Sequence, residues 1–210
     1  MTIPFCVATF AALRTMATLG VMDIGTTIRV IGITAIWCMM TYDACADQPE
    51  QARVTQIIND VKLLPNQAMP RPAAVNDQVR QGTAVRTGVN SRTELTFSDL
   101  SITRLGASTV FSFRAGTRDL NLDSGAVLIQ VPPGGLEARV TTAAVTAAIS
   151  GGTAIVEATR GKFLVLEGVG RIWPVGHPEL AVTVHAGEMV WILPNGQIGQ
   201  PEMFNVQLVY

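Results

Sequence analysis

From Thr93 to Ser98 the side chains alternate: Leu95 and Phe97 are apolar, while Glu94, Thr96 and Ser98 are polar. A period of two sends successive side chains to opposite faces of an extended chain, so this run predicts a strand with one buried and one wet face. Phe111 with Phe113, Val127 with Ile129 and Val131, and Phe163 with Val165 repeat the period. It predicts β-like runs at Thr93–Ser98, Ser101–Leu105, Thr109–Phe113, Asp119–Leu122, Ala126–Val131 and Ala138–Thr142. More follow at Thr146–Ile149, Ala154–Ala158, Lys162–Glu167, Ala181–His185, Met189–Leu193 and Met203–Tyr210. Turn signals separate them, among them Ser98-Asp99, Gly125, Pro132-Pro133-Gly134-Gly135, Gly151-Gly152, Gly161, Gly176, Gly187 and Asn195-Gly196.

Upstream, Ala52–Leu64 suits a short helix or a strand, and its branched residues favour the strand. Asn66–Ala74 is a proline-bearing loop. Short strands at this spacing mark an all-β sandwich, barrel or solenoid-like roll. The small residues of Ala143–Ala148 suit a crowded inner strand. No strict internal repeat is visible.

The first 46 residues read differently. Val30–Met40 is an apolar run of eleven residues between Arg29 and Asp43. As a helix it spans roughly 16 Å, short of the ~30 Å needed to cross a bilayer. Ala44 and Ala46 stand at the −3 and −1 positions of a signal-peptidase cut before Asp47. Residues 1–46 are therefore expected to be a leader, with Met22 an alternative start, and the mature chain periplasmic or secreted. Cys6, Cys38 and Cys45 all fall in this leader. The rest has no thiol for a disulfide, a thiolate metal site or a cysteine nucleophile, and must be held by burial.

Net charge is −1, and the arginines from Arg80 to Arg118 are spaced along alternating runs rather than clustered. Nucleic acid is not an expected partner. His177 and His185, with Glu179 and Glu188, offer a two-histidine, one-carboxylate metal set, but a loop His177 and a strand-end His185 account for them without a metal. Glu94 with Asp99 offers a carboxylate pair for acid–base work on a glycan, and a solvated face explains the same residues. No Gly-x-Ser-x-Gly elbow exists, and Ser150-Gly151-Gly152 reads as a turn. Trp191 alternates with Met189 and Leu193 and reads as core. Trp173, before Pro174, reads as an exposed loop aromatic suited to a sugar ring.

Several segments resemble one family in order and spacing. Val75-Asn76-Asp77-Gln78-Val79-Arg80-Gln81-Gly82-Thr83-Ala84-Val85-Arg86-Thr87-Gly88 is similar to V-G-D-x-(L/V)-x-x-G-x-x-(L/V)-x-T-G. Ser91-Arg92-Thr93-Glu94-Leu95-Thr96-Phe97 is similar to S-R-A-x-L-x-F, and Ser101–Gly106 to S-x-x-R-L-G. Leu122–Leu128 is similar to L-x-x-G-x-(L/V)-L, and Thr142–Thr153 to T-P-x-A-x-x-x-V-R-G-T. These resemble the FecR-like domain over about residues 50–195. The resemblance implies an all-β, extracytoplasmic, non-catalytic module, a twisted β-roll that works by protein contact. Two departures stand out: Asp99-Leu100-Ser101 replaces Asp-Gly-Ser, and Gly151-Gly152-Thr153 replaces Arg-Gly-Thr. Without the glycine a two-residue type I′ turn at Asp99 is disfavoured, and a wider turn is expected. Fewer than 30 residues precede the apolar run, too few for a cytoplasmic sigma-binding domain, and iron is not implied.

The expectation is therefore an all-β chain of many short strands forming a twisted β-roll or solenoid-like sandwich, preceded by an N-terminal hydrophobic signal helix. Its parts are a leader at 1–46, a strand and loop at 47–74, the FecR-like domain at 75–195, and a tail with a closing strand at 196–210. It has no catalytic residues, metal or cofactor. It serves as an interaction or signalling scaffold for envelope proteins, with no stable membrane span once the leader is cut. Glu94, Ser98, Ser101, Thr103 and Trp173 are the expected partner or ligand surface. A glycan- or peptidoglycan-binding module is the alternative.

Overall fold

The structure, a computed structural model, describes residues 51–114, 118–194 and 196–204. All of them belong to the unit Asp47–Tyr210. The expected leader, with Ala44, Ala46 and Asp47, lies outside the described residues.

The protein is nearly all-β, and its strands join into one curled sheet. Ala52–Leu64 is two strands, β1 (Gln51–Ile58) and β2 (Val61–Pro65), separated by Asn59 at φ +61°. Three short strands follow: β3 (Arg71–Pro72), β4 (Gln78–Arg80) and β5 (Thr83–Thr87). The hydrophobic pattern did not mark them, because β4 has Val79 as its one apolar residue. β6 (Arg92–Phe97), β7 (Ile102–Leu105), β8 (Val110–Phe113), β9 (Asp119–Ser124), β10 (Ala126–Val131) and β11 (Ala138–Thr141) fall on the expected runs.

Between Val145 and Pro174 the expectation of short, separate strands fails. β12 (Val145–Glu157) and β13 (Lys162–Pro174) are each 13 residues long and pair with each other along their length. Gly151-Gly152 is not a turn between strands. It is a bend inside β12, where the register to β13 shifts between Ile149 and Gly152. Gly152 sits at φ +116°, and a Cβ there would run into the Glu167 carbonyl oxygen. Only glycine allows so close a backbone approach with that dihedral. One side of β12 pairs with β11 over Thr146–Ile149 and with β10 over Gly152–Glu157. The bent strand thus joins two halves, one continuing through β11, β9, β8, β5, β2 and β3, the other through β10, β7, β6, β1 and β4.

The two halves share one core. Leu95 and Phe97 of β6, Phe111 and Phe113 of β8, Val127 and Ile129 of β10, and Phe163 and Val165 of β13 are all buried in it. Phe97 meets Phe113 edge-on, with ring centroids 5.2 Å apart and planes at 77°. Because β6 and β8 lie in different halves, this pair closes the roll between them. The last elements are a short 3₁₀ turn (Pro178–Leu180), β14 (Val182–His185), β15 (Glu188–Trp191) and β16 (Glu202–Met203). The remainder of the expected closing strand, residues 205–210, lies outside the described residues.

The hairpin between β6 and β7 turns as the loss of glycine implies. Leu100 N–H donates to the Phe97 carbonyl and Phe97 N–H to the Ser101 carbonyl, each at 3.0 Å. Ser98, Asp99 and Leu100 therefore form a three-residue loop, and Leu100 holds the left-handed position at φ +66°. The Asp99 carboxylate stabilises the loop by accepting from Ser101 N–H at 3.0 Å and Ser101 Oγ at 2.6 Å.

Candidate interaction surface

The outward face of β1, β6, β7, β10 and β12 forms an open groove of about 520 Å³. Strand pairing builds its floor. Gln56 stands opposite Glu94, Glu94 opposite Arg104, Arg104 opposite Leu128, and Leu128 opposite Ile155. The row continues through Leu164 and Met189 to Glu202. Directly opposite residues share a face of the sheet, so the row is one stripe: a charged pair, then an apolar middle, then an acid. Ile58 and Arg92 border the groove, and Ile58 is 39% exposed.

Glu94 is fixed at one end. Its carboxylate accepts from Arg104 Nε at 2.8 Å and from Thr55 Oγ1 at 2.7 Å. At the far end Lys162 lies 4.2 Å from the Trp191 ring centroid, and Trp191 Nε1 donates to Glu202 Oε1 at 2.6 Å. Trp191 is therefore 41% exposed on the wet face, not core. Sequence alternation could not orient it, since both Met189-Trp191-Leu193 and Val190-Ile192 are apolar sets. Val190 turned inward.

Of the residues expected at the surface, Glu94 lies in the groove and Ser98 is exposed at the hairpin tip. Ser101 and Thr103 correct the expectation, being 6% and 1% exposed. They take the inward phase of the strand, with Leu105, while Ile102 and Arg104 face out. Trp173 is also placed differently. It belongs to strand β13, opposite Thr146, and is half-buried with Arg171 5.9 Å from its ring centroid. The groove that Glu94 lines does not include it.

The carboxylates do not form a catalytic pair. Glu94 is bound to Arg104, whereas Asp99 is joined to Arg118, a buried residue whose other terminal nitrogen donates to the Leu136 carbonyl at 2.8 Å. His177 Nδ1 contacts Glu179 at 2.9 Å, and the Glu188 carboxylate accepts from the backbone N–H of His185 at 2.8 Å. Among the described residues no three histidines, cysteines or acids gather in a metal-binding group. No described helix is long and apolar enough to cross a membrane.

A second polar cluster lies on the other half. Glu137 accepts from Arg139 Nε at 2.8 Å, Arg171 at 3.1 Å and Ser150 Oγ at 3.2 Å. Burial pushes the Glu137 carboxyl up, but the three donors outweigh it and hold it below its ordinary value. The cluster ties β11 to the bend of β12 and to β13.

Comparison with known proteins bears on this geometry. Residues 83–169, from the start of β5 to the middle of β13, match the family model described as FecR protein. Two crystal structures of a protein from Parabacteroides distasonis ATCC 8503, provisionally described as an anti-sigma factor, share the fold. The one at 1.65 Å resolution has a TM-score of 0.52 and the one at 2.50 Å a TM-score of 0.51. Each is 18% identical, with 60% of this chain and 62% of that chain covered. The likeness is one of fold, and this chain spans less than two thirds of the neighbour's length. No curated protein matches the sequence.

Proposed function

From the FecR domain that the chain carries over residues 83–169, we propose a signalling or regulatory protein that acts by contact with another protein and without catalysis. The family match carries this reading, and the groove supplies the surface. Its stripe offers apolar contact at Leu128 and Ile155 between charged groups at Glu94–Arg104 and Lys162–Trp191–Glu202, the mixture of apolar centre and polar rim that protein interfaces use. Its acids are engaged with Arg104, Thr55 and Trp191 rather than set against a reacting centre. The setting we infer is the cell envelope, on the strength of the apolar run Val30–Met40 and the Ala44-Cys45-Ala46 cut site.

The test is affinity capture from the native envelope with the mature chain and with a Leu128→Lys, Ile155→Lys double variant. The expected result is a protein retained by the first and lost by the second, with both chains melting within a few degrees of each other. Identical sets of captured proteins would remove the groove from the reading.

A further inference from the structure

The stripe from Gln56 to Glu202 carries a side chain at every step, but the stripe beside it does not. There Ile58 stands opposite Arg92 at one end, and Glu157 stands opposite both Ala126 and Lys162 at the other. Between Arg92 and Ala126 lies Gly106, whose N–H donates to the Ala126 carbonyl at 2.9 Å. Over Gly106 and Ala126 the groove therefore meets no side chain longer than a methyl group.

The backbone does not require this gap. Gly106 is not at positive φ, so a side chain there carries no left-handed strain. A Cβ would make ordinary contacts, 3.4 Å from the Ala126 carbonyl oxygen and 3.6 Å from the Ala126 Cβ. Because Leu105 takes the inward phase of β7, the added side chain would stand out into the groove.

The groove is also unbalanced in charge. Two cations, Arg92 and Arg104, line it with one acid, Glu94. Both Glu94 oxygens are taken, one by Arg104 Nε and the other by Thr55 Oγ1. The Arg92 guanidinium, exposed two residues along the same face, has no hydrogen bond or ion pair among the described residues. One uncompensated positive charge thus borders an apolar space.

We infer that this part of the groove receives a peptide segment of the partner that carries a large apolar side chain beside an aspartate or glutamate. This rests on the reading of the groove as the contact surface. The apolar side chain fills the space over Gly106 and Ala126 and packs on Ile58, Leu128 and Ile155, while the carboxylate pairs with Arg92. A guanidinium can grip a carboxylate through two parallel hydrogen bonds, so the acid fixes register as well as charge. A basic segment would add to the Arg92 charge instead of neutralising it. At about 520 Å³ the groove lies within the roughly 300–1,000 Å³ of clefts that bury ligands, and its open side admits a chain.

The test is selection of random peptides displayed on phage against the immobilised full chain. The expected peptides join an acid to a leucine, isoleucine or aromatic residue. A selected peptide should bind Arg92→Glu at least about tenfold more weakly, and selection on that variant should exchange the acid for lysine or arginine. Gly106→Leu, which fills the space without backbone strain, should abolish binding while melting within a few degrees of the parent. No enrichment, enriched peptides without an acid, or equal binding to either variant overturns the proposal. Envelope capture separates this failure from failure of the functional reading. A partner lost with Leu128→Lys, Ile155→Lys but kept by Arg92→Glu and Gly106→Leu overturns this inference alone, and one kept by all three removes the groove as well.

Discussion

The carboxylate of Asp99, at the tip of the β6–β7 hairpin, is ion-paired with Arg118, which leads into β9 in the other half of the roll. The arginine side chain is 5% exposed and also holds the Leu136 carbonyl. One guanidinium therefore ties three segments together. Burial lowers the affinity of Arg118 for its proton, so the pair depends on its partners rather than on water.

Arg118→Met leaves Asp99 with a poorly solvated charge and frees Leu136. The variant is expected to lose about 3–5 kcal/mol of stability, read from urea unfolding. Replacing both residues, as Asp99→Leu with Arg118→Met, should recover part of that loss. A single variant within about 0.5 kcal/mol of the parent would show that the pair is dispensable.

Leu100 holds a left-handed dihedral while 74% exposed, so it contributes strain and little burial. Leu100→Gly is expected to stabilise the protein by about 1 kcal/mol, the relief of a side chain at positive φ less the extra freedom of glycine when unfolded. Equilibrium unfolding measures it. A destabilised variant would mean that Leu100 packs on something.

Gly152 and Gly134 both have positive φ but differ in surroundings. A Cβ at Gly152 meets the Glu167 carbonyl, whereas one at Gly134 meets nothing within 4 Å. Gly152→Ala should cost roughly 3 kcal/mol or more, and Gly134→Ala about 1 kcal/mol. Equal thermal shifts in the two variants would count against a bend enforced by backbone contact.

Glu137 supplies a pH dependence whose sign is fixed. Its carboxyl titrates lower in the fold than its ordinary 4.5 because Arg139, Arg171 and Ser150 together outweigh the cost of burial. Its contribution is present above the unfolded value and fades as pH falls through the folded one. Glu137→Gln should therefore be less stable than the parent above about pH 5, with the gap narrowing on acidification. Urea midpoints from about pH 3 to 7 read this, and a gap that stays constant would assign the effect to packing.

Much of the roll is legible in the residues, where one face of a strand is clearly wetter than the other. Leu95 against Glu94, and Phe111 against Ser112, place β6 and β8 and their inward faces. Legibility ends where local pattern and distant contact disagree. Gly151-Gly152 carries the composition of a turn, yet its role is set by the Glu167 backbone crossing over it. Trp191 lies between two apolar sets and is oriented by Lys162 and Glu202. Ser101 and Thr103 are polar but buried, because the inward phase of β7 leaves them facing the core beside Leu105. The Asp99–Arg118 pair joins residues nineteen positions apart that no period relates.

The bend of β12 also governs the order of assembly. Its first half completes the pairing of β11 and its second half that of β10, so the β11 flank gains its last neighbour by Ile149 and the β10 flank only by Glu157. A nascent chain emerging residue by residue therefore carries an unpaired β10 edge until the second half of β12 follows it.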